Sequence, residues 1–410
     1  MRQSHLFTKT SKQLNQEETS ANAQLLVRGG FINKLMAGVY TLLPLGKRVV
    51  DHIEQVIRQE MTGVGGQEVA MPALSGKDLW VTSGRWETMQ DIFYTITDEA
   101  EHTYALCPTH EEVVVPLVKH FVQSYKDLPL AVYQFQTKFR KELRPKSGIL
   151  RGREFLMKDM YSFHASQADL DAYYDQVLQA YRRVFDRLGI GAQTHLTVAS
   201  GGVFSKYSHE FQTVTPAGED TIYICPQCQL AINREIRAET PVCPQCQGSD
   251  VQEAKAIEVG NIFKLGTKYT DPFGLAVTDA TGQRVPVIMG CYGIGLTRLL
   301  GTIVEVHHDE RGIIWPETVA PFAVHLVNLN KDSVQSDQAY TALQHAGYSV
   351  LYDDRPLSAG AKLGDADLLG LPTRLVLGAK TGQQVEVKRR SETKTTLMTL
   401  DQFISQHTHA

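Results

Sequence analysis

The sequence predicts an α+β fold in two parts, a large antiparallel sheet with flanking helices followed by a small C-terminal α/β domain. Three observations carry this. Apolar residues alternate with period two from Tyr133 to Tyr161 and again over Val259–Gly290, the signature of strands with one face buried. Helical spacing is confined to bounded stretches: Leu45, Val49, Ile53, Val56, Ile57 and Met61 form one stripe. Leu170, Tyr173, Tyr174, Val177, Tyr181, Phe185 and Leu188 form another, introduced by Ser166 and Asp169 at capping-box spacing and closed by Gly189. Finally, the pattern changes at Trp315-Pro316 and Ala320-Pro321. Beyond that point strands at 322–328, 348–352, 374–378 and 385–388 interleave with helices at 332–346 and 361–369, which places a boundary near 317.

The elements follow in order. The first helix stops at Gly63, Gly65-Gly66 turn the chain, and Gln67–Met71 reads as a strand ended by Pro72. Leu143-Arg-Pro-Lys-Ser-Gly-Ile-Leu150 is a loop between two strands of a hairpin. The run Val285–Leu300, VPVIMGCYGIGLTRLL, enters as a strand, turns through glycines and continues as an apolar helix with Arg298 in its first turn.

Composition narrows the class. The 410 residues carry 41 Lys+Arg against 45 Asp+Glu, a net charge of −4, and 42% are hydrophobic. Two or three domains can each hold a core, and disorder is excluded. No apolar run approaches the roughly 20 residues of a spanning helix, and MRQSHLFTKTSKQLNQEE lacks a signal-type apolar segment. The expectation is a cytoplasmic protein with no membrane partner. Four of six cysteines form Cys225-Pro-Gln-Cys228 and Cys243-Pro-Gln-Cys246, 14 residues apart. Four soft thiolates at this spacing suit a closed structural Zn²⁺ site in a reducing compartment, the alternative being a metal-free remnant. Cys107 and Cys291 read as small buried residues.

Three stretches could carry chemistry. In the hairpin, Gln134, Gln136, Lys138, Arg140 and Glu142 share one face of the outgoing strand, and Arg151, Arg153, Phe155, Met157, Asp159 and Tyr161 share one face of the returning strand. Guanidinium forks with an aromatic ring make a nucleotide platform, and a solvated face with ordinary ion pairs is the competing reading. Gly290-Cys-Tyr-Gly293-Ile-Gly295 permits close backbone approach to a ligand or simply makes a tight packing turn. Cys107-Pro-Thr-His-Glu-Glu112 either caps a helix or offers Glu111 to a cation.

Taken together, FRKELRP (139–145), LRGREFLMKDMYSF (150–163) and GCYGIGLTRLL (290–300) resemble motifs 2 and 3 of class II aminoacyl-tRNA synthetases. The strand ending in Met71-Pro72 resembles motif 1. LLPLGKRV (42–49), CPTHEE (107–112), SHEFQ (208–212) and IFKLGTKYT (262–270) give it the character of the bacterial-type prolyl-tRNA synthetase family, from about Ser4 to the C-terminus.

The resemblance implies a class II antiparallel-sheet catalytic domain at 1–317 and an anticodon-binding domain at 318–410. It implies activation of L-proline with ATP and Mg²⁺ to prolyl-adenylate, then transfer to the 3′ end of tRNA(Pro). Arg140 would bridge the proline carboxylate and the α-phosphate. Glu142 would accept from the adenine amino group, Phe155 would stack on the ring, and Arg151 and Arg298 would hold the outer phosphates, with Glu258 also contacting ATP. Thr109 and Glu111 would receive the secondary ammonium of proline, with Met157, Tyr161, His209 and the Gly290–Cys291 backbone near its ring. Arg144 and Lys146 would approach the tRNA acceptor end. A homodimer is implied by motif 1.

One departure stands out. Bacterial members commonly carry a large editing domain between motifs 2 and 3, whereas here only 213–257 fills that interval, much of it the cysteine cluster. The resemblance therefore implies a short form without editing in cis. The competing function is a catalytically inactive paralogue serving as a tRNA-binding or regulatory protein, although such paralogues usually lose the ATP-contacting arginines that Arg140, Arg151 and Arg298 match.

Overall fold

The computed structural model describes residues 1–11, 20–143, 145, 147–202, 204 and 206–406. Two compact units are present, one comprising residues 1–35, 40–52 and 303–410, the other 36–39 and 53–302.

The larger unit is built on a nine-stranded sheet. Its strands are β1 (Gln67–Glu68), β2 (Leu130–Phe139), β3 (Glu154–His164), β4 (Thr194–Ser200), β5 (Tyr207–Val214), β6 (Asp220–Ile224), β7 (Ala231–Asn233), β8 (Gln252–Gly266) and β9 (Ile288–Gly295). They lie in the order β5-β4-β7-β6-β8-β9-β3-β2-β1, and β5 also pairs with β8, so five strands at one end close on themselves. Pairing is antiparallel as expected, except β1 on β2 and β7 on β4. The motif 1 strand is shorter than expected. After Glu68 only the Val69 N–H reaches the Tyr133 carbonyl, at 2.8 Å. The Met71 N–H instead donates to the Gln134 side chain at 3.0 Å, because the chain is already turning towards Pro72.

Register decides which side chains share a face. Gln134 stands opposite Asp159 and Lys138 opposite Phe155, while Cys291, Gly293 and Gly295 stand opposite Tyr161, Asp159 and Met157. These positions face away from helix α3 (Gln167–Arg187), following α1 (Pro44–Gly63) and α2 (Glu111–Phe121) in the chain. Helix α3 covers the other face with its expected stripe, Leu170, Tyr173, Tyr174, Val177, Tyr181 and Phe185, all buried. Each such side chain contributes roughly 1.5–3 kcal/mol. The Ser166 hydroxyl accepts from the Asp169 N–H at 3.2 Å, and Gly189 ends the helix at φ +80°.

The Asp169 carboxylate is 2.8 Å from His164 Nδ1, and His164 Nε2 is 2.9 Å from the Ser162 hydroxyl. This serine–histidine–aspartate chain does not form a hydrolytic site, because Ser162 and His164 are both wholly buried and Ser162 is also tied to the Tyr292 hydroxyl at 2.9 Å. It pins α3 to the sheet.

The smaller unit contains a five-stranded sheet of β10 (Val324–Asn328), β11 (Val350–Asp353), β12 (Thr373–Leu377), β13 (Val385–Arg389) and β14 (Thr396–Met398). Its order is β11-β10-β12-β13-β14. The first three strands are parallel, connected through α5 (Val334–His345) and α6 (Ala359–Leu369), which follow α4 (Leu296–Val306). Ser358 caps α6 by accepting from the Ala361 N–H, and Gly370 at φ +72° closes it. Strand β14 and a last helix, Leu400–Gln406, lie beyond the predicted elements; a three-residue strand is too short to show a period.

Candidate active site

A cavity of about 470 Å³ opens on the sheet face opposite α3, within the range of small-molecule sites. Strand β3 supplies Phe155, Met157, Asp159 and Tyr161; β8 supplies Glu258, Asn261 and Phe263; β9 supplies Cys291, Gly293 and Gly295; and α4 supplies Arg298 from its first turn. Thr109 and Glu111 enter from the start of α2, and Arg140, Glu142 and Arg151 from the ends of the hairpin. Gly293 is kept open for contents: a Cβ there would meet nothing closer than Met157 Sδ at 3.9 Å.

Eleven predicted residues (Thr109, Glu111, Arg140, Glu142, Arg151, Phe155, Met157, Tyr161, Glu258, Cys291 and Arg298) are thus brought together. His209 is not. Its register partner on β8 is Ile262, and its Nδ1 lies 2.9 Å from the hydroxyl of Tyr174 on α3, so strand alternation turns it to the helix-covered face. Gly290 also serves that face, since a Cβ there would lie 2.4 Å from the Tyr292 hydroxyl. Arg153 leaves the expected arginine row, its Nε donating to the Glu142 carbonyl at 2.9 Å. Arg144 and Lys146 lie outside the described residues.

One end of the cavity is cationic. The Arg140 guanidinium donates to the Pro108 carbonyl from Nε at 3.3 Å and Nη2 at 3.2 Å, and its Cζ lies 5.1 Å from the Phe155 ring centroid. Arg298 donates to the carbonyls of Leu150 and Glu258 at 3.0 and 2.8 Å, and to the Glu258 carboxylate at 3.3 Å. Arg151 pairs with Glu142 at 2.6 Å and Glu219 at 3.2 Å. Its side chain is 48% exposed, so these pairs are cheap to exchange for a ligand's phosphates.

The other end is anionic and rigid. Glu111 Oε2 accepts from Thr109 Oγ1 at 2.6 Å and from Arg85 Nη1 at 3.1 Å, and its Oε1 is 3.4 Å from the Cys291 thiol. Arg85 reaches both oxygens of Glu112 as well, at 3.1 and 3.2 Å. Burial, with Glu111 adding repulsion, pushes the Glu112 carboxyl up to about 7 although Arg85 opposes it. Burial and the Glu111 charge drive the Cys291 thiol well above its ordinary range, so it stays protonated and can donate.

Beneath this end runs a buried polar network. Lys138 Nζ bridges Asp159 Oδ1 and His110 Nδ1, both at 2.7 Å. Burial and Lys138 bring His110 down to about 4, so its ring is neutral. Nδ1 therefore accepts from the ammonium, and Nε2–H donates to the Pro72 carbonyl at 3.0 Å. Burial alone would raise Asp159, but Lys138 and His110 hold it below the usual carboxylate range. Asp159 accepts from Tyr161 at 2.9 Å and Gln134 at 3.0 Å, and the Tyr161 oxygen accepts from the His110 N–H at 3.0 Å.

Sequence reasoning assigned no role to Arg85, Lys138, Asp159 or His110. Alternation does place Lys138 and Asp159 on the cavity face beside Arg140 and Tyr161, a usable signal. Arg85, in a separate segment 26 residues before Glu111, carries no local signal.

Away from the cavity, the four cysteine sulfurs lie within 4.8 Å of one another, with Cys225–Cys246 at 3.4 Å and Cys228–Cys243 at 3.5 Å. Zn–S bonds of about 2.3 Å in a tetrahedron require sulfurs roughly 3.8 Å apart, so the donor set fits. The two Cys-Pro-Gln-Cys-Gln turns repeat one geometry. Gln229 and Gln247 both take left-handed φ, +63° and +62°, and donate to the carbonyls of Cys225 and Cys243 at 2.9 and 2.8 Å.

The sequence profile of the tRNA synthetase class II core domain (G, H, P, S and T) matches residues 94–307, and that of the anticodon binding domain matches residues 323–407. A proline–tRNA ligase of Caulobacter vibrioides is 39% identical over 422 residues, covering 95% of each chain. The chain belongs to the proline–tRNA ligase family. The ligase of Hyphomonas neptunium is 40% identical over 422 residues, again covering 95% of each chain. That of Shouchella clausii is 33% identical over 544 residues, covering 95% of this chain and 96% of its own. Since 544 exceeds the 410 residues here, the latter relative carries an insertion that this ligase lacks. The prolyl-tRNA synthetase of Cryptosporidium parvum complexed with L-proline and AMP shares the fold, with TM-score 0.77 at 19% identity over 94% of this chain and 73% of that one.

Proposed function

We propose that this ligase activates L-proline with Mg²⁺·ATP in the cavity described, and then passes the prolyl group to the 3′ end of tRNA(Pro). The observation that carries the reading is one cavity with a carboxylate end at Glu111 and a guanidinium end at Arg298 and Arg151, with Arg140 between them. Arg140 rests on the carbonyl preceding Thr109 and feels the charges of Arg298, Glu258 and Glu111. The secondary ammonium of proline, with two N–H donors, is received by Glu111 and Thr109, and the ring lies against Met157, Tyr161 and Cys291. The proline carboxylate is already ionised and attacks the α-phosphorus without a general base. Arg140 holds carboxylate and α-phosphate together, which is positioning and charge neutralisation rather than covalent chemistry.

Phe155 stacks on adenine and Glu142, released from Arg151, accepts from its amino group. Arg151 and Arg298 hold the outer phosphates of the nucleotide, with Glu258 beside them. Pyrophosphate exchange with a panel of amino acids tests this: exchange depends on proline and exceeds that with threonine or serine by orders of magnitude. No exchange with any amino acid, with tRNA binding intact, gives the paralogue reading instead.

The division into a catalytic part, 1–317, and an anticodon-binding part, 318–410, is supported by the two profile matches. Arg144 and Lys146 are assigned to the acceptor end of the tRNA from their place between the motif 2 strands. The assembly is a homodimer and the compartment the cytoplasm, supported by the motif 1 resemblance and the four reduced cysteines; among the described residues no helix is long and apolar enough to cross a membrane.

Cys225, Cys228, Cys243 and Cys246 hold a structural Zn²⁺, supported by the fit of the donor set. The ion would tie residues 220–257 together and leave no open position for catalysis. Metal analysis of protein purified without added zinc should give about one zinc per chain, and Cys243→Ser should lose it while pyrophosphate exchange persists. Zinc-free protein with an unchanged melting profile contradicts the assignment.

A further inference from the structure

Arg85 belongs to no motif, yet it is 5% exposed and stands behind the carboxylate that faces the substrate. Its Nη1 is shared between Glu111 Oε2 and both oxygens of Glu112, and Glu112 is itself fixed by the Ser83 hydroxyl at 2.7 Å. Three rings, Trp80, Phe204 and Tyr269, lie 5.6, 5.1 and 5.2 Å from its Cζ. Such a guanidinium cannot follow a moving partner. Its Nη2 has no hydrogen-bond partner among the described residues.

The consequence falls on Glu111. With Oε2 occupied by Arg85 and Thr109, the remaining oxygen, Oε1, has among the described residues only the Cys291 thiol beside it at 3.4 Å, a weak and replaceable donor. We propose that Arg85 is the positioning residue for imino-acid recognition, clamping one oxygen of Glu111 so that the other is presented in a fixed direction to the substrate's secondary ammonium. This rests on the reading that Glu111 receives that ammonium. A lysine ammonium is a compact point charge on a flexible stem, without the planar face that the three rings hold, so it makes a poorer clamp.

The experiment is proline-dependent pyrophosphate exchange, with KM for proline and for ATP and kcat measured for R85K, R85Q, E111Q and the double variant R85Q/E111Q. E111Q should raise the proline KM; if it does not, the Glu111 reading falls. Given that rise, R85Q should raise the proline KM by about 10- to 100-fold, the scale of loss from a misplaced contact, while the ATP KM stays within about twofold. R85K should fall between R85Q and wild type, and it carries the test if R85Q does not fold. The double variant should be no worse for proline than E111Q alone, because Arg85 acts through Glu111. An unchanged proline KM in both Arg85 variants, equal losses for proline and ATP, or additive losses in the double variant overturn the proposal while leaving the role of Glu111 intact.

Discussion

Replacing Arg140 with alanine lowers proline-dependent pyrophosphate exchange by at least about 10²–10³-fold, the usual loss when one preorganised donor to a developing charge is removed. Among the described residues it alone of the cavity's guanidiniums touches the backbone that leads into the Thr109–Glu111 segment, and in the proposed reaction its charge lies where carboxylate and phosphate must approach despite mutual repulsion. Folding should survive the substitution. Among the described residues its partners are a carbonyl oxygen at the cavity wall and the face of a half-buried Phe155, and no carboxylate among those residues loses a hydrogen-bonded partner when it goes. Arg140→Lys should recover little, because one ammonium cannot contact two anions with the geometry of a planar fork. Exchange rates and melting curves of both variants check this; near-normal exchange in Arg140→Ala would refute the assignment.

Alanine should be activated by the same cavity and attached to tRNA(Pro), and the purified protein should not remove it. A pocket that selects by size distinguishes substrates by only about 1–3 kcal/mol per missing methylene, roughly 10–200-fold. Alanine offers the same carboxylate to Arg140 and an ammonium to Glu111, so the polar contacts do not reject it. Residues 213–257, the interval where the family resemblance implies an editing domain in longer members, are accounted for here by the end of β5, strands β6 and β7, the cysteine turns and the start of β8. Exchange driven by alanine, followed by the decay of alanyl-tRNA(Pro) with and without the protein, makes the measurement. Rapid enzyme-dependent deacylation would overturn it.

Much of the site was legible before any coordinates. The hairpin alternation put Arg140, Phe155, Met157, Asp159 and Tyr161 on one face. The register confirms it for the four on the returning strand, because a strand's period of two leaves no other arrangement once one face is buried, and the cavity lining confirms it for Arg140, just past the end of β2. His209 shows the limit. It lies in a stretch resembling a family motif, but its face depends on how β5 pairs with β8, and that register shifts between Phe211 and Gln212. Gly290 and Gly293 looked alike in the sequence, yet one makes room for a tyrosine hydroxyl and the other for cavity contents. Arg153 fails the alternation because the chain is not yet in the strand, which begins at Glu154.

The sequence by itself determined the local matters: where helices start and stop, which residues of a strand share a face, and which four thiols can meet on one ion. These depend on neighbours within a few positions, so a period, a cap or a spacing is enough to read them. Only the tertiary structure decided that Arg85 stands behind Glu111, that Lys138 joins His110 to Asp159, and that residues 1–35 and 40–52 pack in one unit with residues 303–410. Each of these joins segments distant in the chain through burial of charge or apolar surface, and a buried charge records its partner only in three dimensions.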